Sequence, residues 1–154
     1  MSNSDPNPKT PHDERLARSK RASLEQNAIN GSTYFFWIAF FSLLNKVMDL
    51  LSSERSFVFG LGAPQTIERM LAAPNPTVIW GITVLLAIIF VVFGIYARRG
   101  NIPVYIVGII FYVADMVLSL LSGDIVGALV HVVFTVLLVM GLIAIMKLKD
   151  LPPA

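Results

Sequence analysis

The chain has 154 residues, 55% of them hydrophobic and 14% charged, with a mean hydropathy of +0.70. Soluble domains carry roughly 25% charged residues, so these values exclude an ordinary globular protein and leave no length for a separate soluble catalytic domain. The formal charge of +2 is not the basic footprint of a nucleic-acid binder. The absence of cysteine excludes disulfides, thiolate metal sites and cysteine nucleophiles.

Residues 1–32 are polar, charged and proline-containing, and are expected to be a disordered, basic cytoplasmic tail. Within them, 13–29 place Leu16, Leu24 and Ile29 too sparsely for a well-defined amphipathic helix. A solvated segment drawn to anionic lipid by charge is the expectation. The start has no signal-type apolar core, so the first apolar run is read as a retained span.

A four-helix transmembrane domain is expected over 33–147, followed by a cytoplasmic tail at 148–154. The spans fall at about 33–51, 77–97, 103–122 and 124–146, each near the roughly 20 residues needed to cross about 30 Å of hydrocarbon. Tyr34, Trp37, Trp80 and Tyr96 sit near span ends, as interfacial aromatics do. The second span has no ionisable group and is expected to be the most lipid-exposed. Pro103 suits a first helical turn, and Asp124 after Gly123 suits an N-cap after a tight turn. The 52–76 connection is the one long loop. Its Phe57, Val58, Phe59 and Leu61 are too apolar to stay free of the bundle, and Pro64 to Leu71 reads as a short amphipathic helix ended by Asn75-Pro76. The loop is read as a cap lying on the bundle, with a lid over a pocket as the alternative.

Orientation follows from lysine and arginine placement. Lys9, Arg15, Arg18, Lys20, Arg21, Arg98, Arg99, Lys147 and Lys149 fall on one side of a four-span chain, against Arg55 and Arg69 on the other. Both termini are therefore expected on the cytoplasmic side of the cell membrane.

Ionisable groups inside spans are costly and face the bundle interior. Lys46 and Asp49 lie in the first span, Asp115 in the third and His131 in the fourth, with Asn45 as a neutral companion. At about 1.5 Å rise per residue, Asp115, His131 and Asn45 all lie about 10–12 Å below the outer end of their helices. Three-four spacing aligns Tyr105, Gly108, Tyr112, Asp115, Ser119 and Ser122 on one stripe of the third helix. Ser42, Asn45, Asp49 and Ser52 align likewise in the first, and Asp124, Gly127 or Ala128, His131 and Thr135 in the fourth. The expected polar cluster is Asn45, Lys46, Asp49, Tyr112, Asp115 and His131. As a structural centre, it would pair Asp115 with Lys46 or His131 and let Tyr112 donate to a neighbour. As a functional one, it would be an outward-facing cavity for a cation or small solute, or a proton relay between Asp115 and His131. His131, Asp115 and Asp49 would hold a metal only if folding brought them together. No catalytic motif, catalytic residue or cofactor is assigned.

Phe111-Tyr112-Val113-Ala114-Asp115, the Leu118 to Leu121 run, Gly123-Asp124, Gly127 and His131 together resemble a pattern of small four-helix bacterial membrane proteins of unknown function. In that family Tyr-x-x-Asp on the third helix precedes a Gly-Asp turn and an early His on the fourth. The loop piece at 56–59 with Pro64 has a counterpart as well. One departure is Ile125, where an aromatic often follows the Gly-Asp. The resemblance implies the four-span topology and singles out Asp115, Asp124 and His131, and implies no activity.

The expectation is thus an all-α, four-span bundle with both termini inside and a short amphipathic helix in its first outer loop. Its function is expected to be non-enzymatic, a binding, accessory or structural one. Solute or proton/cation-coupled transport and intramembrane catalysis are the alternatives. The bilayer is the expected partner, with a second copy of the chain or a small solute as further ones.

Overall fold

The computed structural model describes residues 10–51, 61–70 and 75–151, with only the backbone of Gln65, Glu68, Arg69 and Met70. The expectations for 1–9, the loop aromatics Phe57 to Phe59, Ser52, Arg55, Leu71 and 152–154 lie outside the described residues. Every described element is helical: α1 Pro11–Leu51, α2 Ala63–Met70, α3 Pro76–Arg98, α4 Ile102–Leu121 and α5 Ile125–Lys149. Four of them, α1, α3, α4 and α5, are long and apolar enough to cross a membrane.

α1 corrects the expected tail. It is one helix of 41 residues, so 11–32 are helical and run on into the first span. Thr10 and Asp13 form a reciprocal cap: the Thr10 amide and hydroxyl both donate to Asp13 Oδ2, at 3.0 and 2.7 Å, and the Asp13 amide donates to Thr10 Oγ1 at 3.3 Å. Pro11 sits in the first turn, where its missing N–H costs nothing. Glu14–Arg18 and Arg21–Glu25 then pair one turn apart, at 3.7 and 3.1 Å. Once the apolar span has nucleated the helix, each added residue of this kind extends it at little cost. The bundle also starts earlier than Thr33, since Gly31 and Ser32 are already buried.

Side-chain caps define the remaining ends. Asn75 accepts from the Thr77 amide at 2.9 Å and Pro76 follows, so this pair opens α3. Asn101 caps α4 through the Val104 amide at 3.2 Å, with Pro103 in its first turn. Gly123, at φ 80°, turns the chain, and Asp124 caps α5 through the Gly127 amide at 2.9 Å.

α1 packs against α3 and α5, α4 packs against α5 and α3, and α2 rests on α3 and α4. The core is a run of rings. Phe35 lies 5.1 Å from Tyr105 and 6.3 Å from Phe90, and Phe90 meets Tyr112 edge-on at 6.0 Å. α3, expected to be the most lipid-exposed span, is buried to the same degree as α4 and α5, and α1 is buried slightly more. Ile79, Thr83, Ala87, Phe90, Gly94 and Ala97 make its inner face. Small residues let helices approach closely, and polarity is not required for that.

Candidate functional site

Asp115 stands on the buried face of α4 together with Tyr105, Gly108, Tyr112 and Ser119. His131 stands on the buried face of α5. The two are 4% and 1% exposed, which makes this a closed centre. His131 Nε2 lies 2.6 Å from Asp115 Oδ2. His131 Nδ1 lies 2.7 Å from the Gly127 carbonyl oxygen, a pure acceptor, so Nδ1 carries hydrogen and donates. One further proton serves the Nε2–Oδ2 contact. Whether it rests on the imidazole or the carboxyl, the pair has no net charge, which is the condition for burying it.

The other partners of Asp115 are backbone amides from the loop ahead of α2. Gly62 N–H donates to Oδ2 at 2.8 Å and Ala63 N–H to Oδ1 at 2.6 Å. Just before them, the Leu61 amide donates to Ser42 Oγ at 2.9 Å, and that hydroxyl donates to the Ile38 carbonyl at 2.6 Å. Leu61 itself is buried. Residues 61–63 thus descend onto the helices and are held by α1 through Ser42 and by α4 through Asp115. Gly62 brings the backbone against Ser119, whose hydroxyl would have to turn aside for a Cβ there.

The remaining predicted residues divide around this latch. Tyr112 meets His131 with its ring, stacked at 4.7 Å and 22°, and the contact it brings to the site is through that face. Asn45 is buried on α1, its Oδ1 without a hydrogen-bond partner among the described residues. Lys46 pairs with Asp49 on its own helix at 3.7 Å, while the acid on α4 is taken by His131. Asp124 stays at the turn as the α5 cap. Among the described residues no three His, Cys, Asp or Glu side chains converge as metal ligands, so Asp49 does not join Asp115 and His131 as a ligand set.

Sequence reasoning missed the amides of Leu61, Gly62 and Ala63, because a backbone donor carries no residue signature. The available signal was a glycine beside Pro64 in an apolar stretch, which marks close backbone approach. Chemically, the arrangement fixes a loop by two amide hydrogen bonds to the Asp115 carboxyl group and buries one exchangeable proton between Asp115 and His131. Comparison with protein-family models, with curated proteins and with solved structures found no match.

Proposed function

We propose that the chain is a multi-pass integral protein of the cell membrane, with both termini cytoplasmic, acting as a non-enzymatic accessory or structural bundle. The observation that carries this is the set of partners around Asp115. Its carboxylate takes two loop amides and the His131 imidazole, all from within the chain. A centre so fully engaged is suited to holding a loop in place, and less to turning over a substrate. The nine-to-two placement of lysine and arginine supports the orientation. The family resemblance built on Tyr112, Asp115, Gly123, Asp124 and His131 is proposed on those residues alone.

The experiment is a comparison of Asp115→Asn and His131→Ala in detergent. Breaking a buried pair by removing one partner costs about 3 kcal/mol, so both variants should melt well below the parent and release 61–63 from the bundle, read as a loss of amide protection at Leu61, Gly62 and Ala63. The shared proton favours one second reading, a proton-coupled transporter. Under that reading both variants would fold and melt like the parent while losing proton-driven uptake in vesicles, and that outcome would displace the structural reading.

A further inference from the structure

A cleft of about 690 Å³ opens between α1, α3 and α5, at the end of the bundle opposite α2. Small-molecule cavities run from about 300 to 1,000 Å³, so it can hold a ligand of that class. Its walls join two chemistries. Ala97 and Ile145 are buried and give it an apolar floor, Ile29 is an exposed apolar wall, and Glu25, Arg98 and Lys149 supply its polar lining. Glu25 is already paired with Arg21, at 3.1 Å. Arg98 is held in place by Thr33, whose hydroxyl accepts from Nη2 at 3.1 Å, and by the Phe36 ring 4.8 Å beneath its guanidinium. A guanidinium has five N–H donors, so this anchoring leaves donors for an anion. The C-terminal ends of α3 and α5 place partial negative charge here, and the full charges of Arg98 and Lys149 outweigh it.

We propose that this cleft binds an anionic phospholipid, with the phosphate on Arg98 and Lys149 and the start of an acyl chain on Ile29 and Ile145. A soluble anion has no use for the apolar floor, and a neutral hydrocarbon has none for the cations. Basic pockets between spans on the cytoplasmic side suit such headgroups. The proposal rests on the membrane reading above, and the two fail separately. If the chain leaves the membrane fraction in an alkaline carbonate wash, the membrane reading falls. If it stays and the lipid assay below is negative, only the cleft assignment falls.

The assay is thermal melting of the full chain in neutral detergent with a phosphatidylglycerol, a phosphatidylcholine or inorganic phosphate. Phosphatidylglycerol should raise the melting temperature by about 5 °C, and the other two by less than about 1 °C. Lys149→Gln and Ile29→Trp, which remove a lining charge and crowd the apolar wall, should each at least halve the shift. Lys147→Gln, outside the cleft, should keep it. Arg98→Gln should abolish it, but Arg98 also holds α1, so the first two variants decide the matter if that one fails to fold. Equal shifts from both lipids would remove headgroup recognition. A full shift from phosphate alone would assign a free-anion site, and a full shift retained in Lys149→Gln would place the lipid elsewhere. Any of these overturns the proposal.

Discussion

Gly31 and Gly81 both lie inside spanning helices, and one added methyl group should have opposite effects at the two. A Cβ at Gly31 would run into the backbone of Gly141 across the α1–α5 contact, while a Cβ at Gly81 meets nothing within 4 Å. Gly31→Ala should therefore force the helices apart and cost about 1–3 kcal/mol. Gly81→Ala should be neutral or stabilising by up to about 1 kcal/mol, the helix-propensity gain alone. Melting both variants in one detergent checks the pair of signs. Asp13 makes a second prediction at this scale. Its bonds to the Thr10 hydroxyl, and secondarily to the Thr10 amide, hold its carboxyl below the usual value. A lowered carboxylate stabilises the folded helix end above the ordinary aspartate range, and the contribution is lost as pH falls through the lowered value. Amide protection factors at 12–16, corrected for the intrinsic pH dependence of exchange, should fall as pH drops through the lowered value, while those inside the bundle do not change over the same range.

At the scale of elements, helix ends and helix interiors were unequally legible. The interiors of α3, α4 and α5 follow from apolar runs of membrane length. Tyr105, Gly108, Tyr112, Asp115 and Ser119, spaced at three and four, are the buried residues of α4. The start of α1 is not legible from apolar periodicity, because caps and ion pairs carry it. Thr10-Pro11-His12-Asp13 is a capping sequence, and Glu14, Arg18, Arg21 and Glu25 supply pairs one turn apart. Neither signal depends on hydrophobicity. Thr10→Ala should remove about 1 kcal/mol of local helix stability and fray the first two turns. Backbone chemical shifts of the protein in micelles would show this as a loss of helical values confined to those turns. α2 was legible from Pro64 and its neighbours, but what holds it was not. The carboxyl group that receives its leading amides lies 53 and 52 residues away in the chain.

For the whole molecule, orientation is a claim about charge and not about packing, and it has its own test. The chain contains no cysteine, so a single introduced thiol reports cleanly. Ser53→Cys should react with an impermeant reagent from outside intact cells, and Ala17→Cys only after permeabilisation; the reverse pattern would invert the bundle. The amino-acid sequence by itself determined the number of apolar helices, because a bilayer-length hydrophobic run is a local property that each segment carries alone. It also marked which polar residues could not face lipid. Only the tertiary structure decided which of them meet. His131, and not Lys46, closes on Asp115, and the centre is sealed by the 61–63 backbone. Of the long loop, the described stretch 61–63 is seated through three backbone amides. Pairing depends on helix rotation and on where a returning loop lands. Those are set by close contacts such as Gly31 on Gly141 and Gly62 on Ser119, which no single segment encodes.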